Sequence, residues 1–295
     1  MSDSLSDLQR KLSSAGELKS VVRTMKAIAA ASITRYERAV EALALYDQTV
    51  QRGLFVALRQ QDEWPDQPAR PRQAAILFGS DQGLVGQFNE DLQRHALAQL
   101  AAGVPADIWV VGERLRDRME DEGIVLAGHF SVPGSIPAIT GLVARLLAVI
   151  EPWQHAEPGA TVTVFHHRPR TGELYAPHST RLWPTDVAWR QRLLAQRWPG
   201  HRVPQVFGEP ARVLGGLIRE YLFVSLYRVC AESQASEHAS RLAAMQRADR
   251  NIDELLHQFR QEWNRQRQAG IDEELFDVLA GFEAIHGTGT RGEVT

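Results

Sequence analysis

The chain has 295 residues, 33 Lys and Arg against 36 Asp and Glu, a net charge of −3, and 44% hydrophobic residues. That composition excludes disorder over the whole length, and the near-neutral balance argues against a general nucleic-acid binder. A single cysteine, Cys230, excludes a disulfide framework and a cysteine-based zinc cluster.

The longest apolar stretch lies near Leu142–Ile150, and Arg145 interrupts it, so no membrane span is expected. The opening residues, MSDSLSD, fit neither a signal peptide nor an Arg-rich transit peptide. An intracellular, bacterial protein is the expectation. All three lysines, Lys11, Lys19 and Lys26, fall in the first 26 residues, and the other 30 basic residues are arginines. A GC-rich genome explains the shortage of lysine, but not why lysine survives only there.

Three regions follow in chain order, with expected boundaries at 1–62, 63–208 and 209–295. The first carries an apolar stripe through Leu5, Leu8, Leu12, Ala15, Leu18, Val22, Met25, Ala29, Ile33 and Tyr36. Steps of three and four residues predict one long helix packed against another. About 55 residues of helix span roughly 80 Å, more than the width of a small domain. The run Ala27–Ala31 allows close approach of another backbone.

The segment Trp64–Pro71 holds three prolines and cannot continue that helix. Short apolar runs then alternate with helical patterns. Strands are expected at Ala74–Phe78, Asp107–Val111, Ile124–Phe130 and Thr161–His166. Helices are expected at Val85–Ala101, Glu113–Asp121 and Ile136–Ile150. A hairpin is expected within Glu173–Leu182 and a connector at Trp198–Pro210. The alternation predicts a mostly parallel sheet covered by helices.

The third region lacks proline from Ala211 to Ile285. Its stripe runs through Leu214, Ile218, Tyr221, Tyr227, Leu242, Met245, Ala248, Ile252, Leu255, Phe259 and Trp263. It continues through Ile271, Leu275, Val278 and Phe282. The fold expected is therefore α/β: a long antiparallel coiled coil of the N- and C-terminal helices with an inserted, Rossmann-like α/β domain. Residues 1–60 carry 9 basic and 6 acidic groups, whereas 209–285 carry 9 and 13, a bias that favours pairing of the two helices. The last helix is the longer, so its end must stand alone or be held by another protein. The tail His286–Thr295 shows no periodicity and is expected to fray.

No constellation marks a catalytic centre. The turn Phe78–Asn89 follows a strand and opens a helix, where a phosphate loop would sit. It lacks the lysine of a P-loop, and Asp81 stands where a dinucleotide fingerprint needs its middle glycine. Asp81 would also repel a phosphate. His166 and His167 are adjacent on a strand and point to opposite faces, so they cannot share a metal. His155 and His178 are expected in loops. Ser225, Cys230 and His238 have no partner that marks a nucleophile. No catalytic, cofactor or metal residue is therefore assigned. The acids Asp253-Glu254 and Asp272-Glu273-Glu274 read as solvated faces. The second group, beside Arg265, Arg267 and Gln268, can also serve as a charged collar inside a protein sleeve.

Three segments resemble the γ subunit of F-type ATP synthases. They are Leu8–Ser14 with Val22–Ala31, then Gly79–Asn89, then Ser236–Met245 with Ala248, Asn251 and Glu262–Leu275. The C-terminal segment is the most specific, and the layout of helix, α/β domain and helix matches over nearly the whole chain. The resemblance implies a central rotor shaft that couples ion-driven rotation of the membrane c-ring to ATP synthesis or hydrolysis at the β subunits. It implies a ring of three α and three β subunits, an ε subunit and the c-ring as partners. No nucleic acid, cofactor or direct membrane span is implied. The shaft would be a non-catalytic subunit at the cytoplasmic face of the bacterial inner membrane.

Carried over by position, Arg23, Met25 and Lys26 match the section facing the lower lobe of β. Arg267, Gln268, Asp272 and Glu274 match the upper section held by β loops. Asp272 replaces the usual threonine and Ser32 the usual lysine. These departures point to a divergent branch, an alternate bacterial F-type ATPase. Two rival readings remain: a nucleotide-binding α/β enzyme and a self-associating coiled-coil scaffold.

Overall fold

The computed structural model describes residues 2–60, 72–100, 106–156, 161–170, 173–183 and 187–286. In chain order it holds α1 (Ser2–Leu58), β1 (Gln73–Phe78), α2 (Phe88–Leu100), β2 (Ala106–Val111), α3 (Glu113–Asp121) and β3 (Gly128–Phe130). These are followed by α4 (Ile136–Ala156), β4 (Thr161–Arg170), β5 (Glu173–Trp183), α5 (Val187–Leu194) and α6 (Pro210–His286). The expected proline break at Trp64–Pro71 and residues 287–295 of the expected tail lie outside the described residues.

The chain divides into two compact units. One is Met1–Ala27 with Met245–Thr295, and the other is Ile28–Ala244. Both long helices contribute to both units. Their packing follows a seven-residue rhythm. From Leu8, steps of four and three pass through Leu12, Ala15, Lys19, Val22 and Lys26 in the first unit. The same steps continue along α1 through Ala29, Ile33, Tyr36 and Val40 to Leu54 in the second, and none of these positions is exposed. On α6 the matching rhythm runs Met245, Asp249, Ile252, Leu256, Phe259, Trp263, Gln266 and Gly270, again without an exposed member. This is the spacing of a coiled-coil seam.

Two expected stripe residues within the paired section are exposed. Leu18 is 53% exposed and Leu255 is 44% exposed, while Lys19 and Leu256 hold the inward places. Hydrophobicity alone favours a leucine over a lysine, but the phase of the partner helix decides which residue faces inward. Beyond Gly270 every residue of α6 from Ile271 to Phe282 is exposed.

In the second unit the sheet order is β3-β2-β1-β4-β5. The first four strands are parallel and β5 pairs antiparallel with β4. β1 is buried on both faces, which explains its unbroken apolar sequence. Ala74, Ile76 and Phe78 point to a core shared with α4 and α6, including Leu142, Leu146, Leu222 and Leu226. Ala75 and Leu77 point to the opposite core, with Leu92 and Ala96 of α2 and Leu115 and Met119 of α3. A third cluster joins Leu54 and Phe55 of α1, Leu193 of α5 and Leu214 and Val224 of α6.

Several expectations need correction. The expected hairpin at Glu173–Leu182 is one strand, β5, whose partner is β4. Thr163, Phe165 and His167 of β4 pair with Arg181, Ser179 and Pro177, so no turn interrupts the segment. His178 therefore sits in a strand and His155 in α4, not in loops. The third strand is short, starting at Gly128, and α2 begins at Phe88 instead of Val85. Helix α5 was not foreseen. Its eight residues are too few to display a period beside a proline-rich stretch.

The seam phase has a measurable consequence. Leu256→Ala should lower the unfolding free energy by about 2–3 kcal/mol, whereas Leu255→Ala should change it by less than about 0.5 kcal/mol. Urea denaturation followed by circular dichroism reads both, and equal effects would contradict the phase.

Candidate functional site

In open sheets with this strand order, ligands enter the crevice beyond the carboxyl ends of the strands where the order reverses. Here that point lies at the end of β1, between β2 and β4. The glycine-rich turn 79–89 occupies one side. Gly79 donates its N–H to Val111 O at 2.8 Å, and a side chain there would meet Leu115. Asn89 accepts the Ser80 N–H at 3.0 Å and donates to Ser80 Oγ at 2.9 Å, which closes the turn on itself.

Asp81 fills the place of an anion. Its carboxylate accepts the Glu113 N–H at 3.0 Å through one oxygen and the Val132 N–H at 3.0 Å through the other. Glu113 is the first residue of α3, whose N-cap Gly112 has no side chain to offer. Asp81 thus caps that helix from another loop and satisfies a donor that a bound phosphate would otherwise engage. Gly112 adopts φ +115°, and a Cβ there would lie 2.8 Å from the Ser80 backbone.

The other side of the crevice is filled by α6. Every residue from Val229 to Glu237 is buried, so this stretch of helix is enclosed all round. The sequence permits it because Cys230, Ala231, Ser233, Ala235 and Ser236 are small. Three hydroxyls on one side of the helix reach the sheet or the turn that follows β1. Ser233 Oγ donates to Phe78 O at 3.1 Å, and Ser236 Oγ donates to His167 O at 3.2 Å. Ser240 Oγ donates to Val85 O, and Tyr175 donates its hydroxyl to Ser240 at 2.9 Å. The serines recur at steps of three and four, the spacing of one helix face.

Charged groups complete the attachment. Glu232 accepts from His166 Nε2 at 3.0 Å and lies 3.6 Å from Arg168. Burial works against its charge, but the His166 bond and the Arg168 and Arg228 charges hold the carboxyl below its usual range. Arg228 bonds Asp47 of α1. Glu237 accepts from Arg241 at 2.6 Å and Gln234 at 3.0 Å, and burial outweighs these bonds and raises its pKa. The two adjacent histidines do face opposite ways. His166 turns to α6, and His167 packs its ring 4.3 Å from that of Phe88 and donates Nε2–H to Phe88 O at 2.7 Å. Burial lowers the pKa of His167 to about 4, and burial with the Arg241 and Arg35 charges does the same for His238. Cys230 is buried and its thiol is pushed far above the ordinary range, so it is not a nucleophile.

The residues assigned by resemblance lie on the first unit's helices. Arg23 is exposed, Met25 is half-buried and Lys26 is half-buried with its ammonium 2.6 Å from Asp249. Arg267 lies over the Trp263 ring at 5.4 Å, and Gln268, Asp272 and Glu274 are exposed. Sequence reasoning assigned no role to Ser233, Ser236, Ser240 or Glu232. The available signal was a helical stretch, 229–241, made of small polar residues and lacking the solvated charged face of its neighbours.

Compared with known proteins, residues 4–285 match the family model described as ATP synthase. The ATP synthase gamma chain of Syntrophus aciditrophicus is 26% identical over 292 residues, covering 95% of this chain and 98% of the relative. That of Moorella thermoacetica is 27% identical over 285 residues, with the same coverage of 95% and 98%. Among solved structures, a chain of the Euglena gracilis mitochondrial ATP synthase (OSCP/F1/c-ring, rotational state 3) superposes with a TM-score of 0.67 at 16% identity. It covers 99% of this chain and 98% of that one. A chain of the Euglena gracilis rotor gives 0.64, covering 92% and 100%. At that identity the likeness shows the fold.

Two outcomes follow from the attachment. Replacing Ser233, Ser236 and Ser240 together by alanine should cost about 2–4 kcal/mol in urea unfolding, because each buried hydroxyl bond contributes about 1 kcal/mol. The second concerns acid. The folded pKa of His167 lies below its unfolded value of 6.5, so the neutral ring's contribution is complete above pH 6.5 and is lost as pH falls toward 4. The melting temperature should therefore fall over that window, and His167→Gln should flatten the slope.

Proposed function

This chain belongs to the ATP synthase γ family, and from that membership we propose that it is the central rotor shaft of an F1Fo ATP synthase. One observation carries the reading. After the seam ends at Gly270, α6 continues with Ile271, Leu275, Phe276, Val278 and Leu279 exposed between 50% and 71%. A helix that presents apolar residues left exposed by the described residues of its own chain calls for a sleeve supplied by other subunits. A ring of three α and three β subunits is that sleeve, with Arg267, Gln268, Asp272 and Glu274 as polar contacts to β. Arg23 and Met25 meet the lower lobe of β, with Lys26 contributing from the seam edge.

The α/β domain then takes up rotation from the c-ring and the ε subunit. It passes the motion to α6 through the buried 229–241 segment. One asymmetric shaft inside a threefold ring gives each β subunit a different neighbour, so each rotation step biases the three nucleotide sites differently. That is coupling between distant sites through differential contacts. The chain itself would perform no bond chemistry, since Asp81 and the α6 serines fill the crevice where an α/β enzyme would hold its ligand. No helix among the described residues is long and apolar enough to cross a membrane. Attachment to the cytoplasmic face of the bacterial inner membrane would come through the partners.

Co-expression with α and β subunits from the same genome tests the proposal. The expected product is a complex with one copy of this chain per three α and three β, active in ATP hydrolysis. A chain that only self-associates, while α and β fold, would sink it. Truncation before Ile271 should leave the seam folded and weaken association with the ring.

A further inference from the structure

The seam of α1 contains three charged residues among its inward positions: Lys19, Lys26 and Asp47. Each is bonded to an oppositely charged residue of α6. Lys19 pairs with Asp253, Lys26 with Asp249 at 2.6 Å, and Asp47 with Arg228. The first two pairs lie in the first unit and the third in the second. Within the first unit the remaining seam residues of α1 are Leu8, Leu12, Ala15 and Val22. Such an apolar lattice repeats every seven residues, so a slip of one heptad, about 10 Å, sets apolar residues against apolar residues again.

The two lysines remove that degeneracy. They stand seven residues apart, whereas their aspartates stand four apart. A slip of one heptad can leave one lysine on an aspartate, but it carries the other to a level where Leu12 or Ile33 now stands. The side chains of Lys19 and Lys26 are only 19% and 29% exposed, so a stranded ammonium would lose both its partner and part of its hydration. Lysine suits the place, because a four-carbon stem can cover apolar neighbours while a compact charge sits at its tip. These are two of the three lysines in a chain whose other basic residues are all arginine. The cations that hold Asp249 in its charged form are Lys26, Lys19 and Arg23, all from α1, and Asp253 follows one turn along α6.

We propose that Lys19 and Lys26 are positioning residues that fix the axial register of α1 against α6 through Asp253 and Asp249. Their contribution is to uniqueness more than to stability. The consequence for torque, a shaft tip held at one height, rests on the rotor reading. The register itself does not.

The test uses the full purified chain, with spin labels at the exposed positions Thr24 and Arg250 and Cys230 left in place in the core. The unaltered seam should give one distance. A variant with Lys19→Leu, Lys26→Leu, Asp249→Leu and Asp253→Leu should remain helical and show a second, longer distance, the one expected for an axial slip of about 10 Å between labels that start nearly level. A single native distance in that variant would overturn the proposal. Should the apolar seam not fold, charge exchange decides. Lys19→Asp with Lys26→Asp should destroy the single distance, and adding Asp249→Lys with Asp253→Lys should restore it. Persistence of the native distance in the first, or failure of restoration in a folded second, would equally overturn it. Because the readout needs no other subunit, its failure leaves the rotor reading standing, and failure to assemble with α and β leaves the register result standing.

Discussion

A helix cannot join a sheet through its own backbone. Its amide and carbonyl groups are already spent on one another, and the sheet's carbonyls at a strand end are left looking for donors. Side chains have to make the connection, and they must be short if the helix is to lie close. Ser233, Ser236 and Ser240 meet both conditions. They donate to the carbonyls of Phe78, His167 and Val85. The rest of the domain is arranged to let α6 reach them. Gly79 and Gly112 bring backbone close to backbone, and Asp81 takes up the donors at the start of α3. A strand order that in other proteins opens a ligand crevice here receives a segment of the same chain.

That substitution explains why the turn 79–89 looks like a phosphate loop and lacks its chemistry. The glycines answer to packing, and the anion is a covalently attached carboxylate. A resident carboxylate needs no cofactor concentration and cannot dissociate, so the joint it stabilises is permanent. Permanence is what a mechanical joint requires, since a joint that opened when a ligand left would let the helix turn without the domain.

Much of the fold was legible because its signals are periodic. β1 is apolar without alternation because both of its faces are covered, and the two terminal helices repeat at three and four because each packs on one partner. The phase of the seam was less legible. A sequence read by hydrophobicity chooses Leu18 over Lys19 and cannot separate Leu255 from Leu256, and only the partner helix decides. The serine attachment was illegible for a related reason. A hydroxyl looks the same in sequence whether it faces water or a carbonyl, and the acceptors lie about 70 to 155 residues away along the chain. The short helix α5 has no counterpart among the expected elements, and the single strand β5 reads as a hairpin, because eight to eleven residues beside prolines and glycines carry too few periods to identify.

The charge distribution gains a physical meaning from the seam. A net of −3 conceals a basic first helix and an acidic last one. Exposed pairs between such helices add little, because water and salt screen them. A pair held partly out of water behaves differently. Its attraction is offset by the cost of desolvating both groups, so the net stabilisation is small, yet the penalty for separating the partners is large. Such a pair is a poor glue and a good index mark. Replacing it by leucines removes the penalty that distinguishes one register from the next, even where it strengthens the core. Asp249 is held below the usual carboxylate range by its bond to Lys26, which favours the charged form of the mark. Lys19 and Lys26 therefore act where an apolar seam is weakest, in choosing one alignment among several of similar energy.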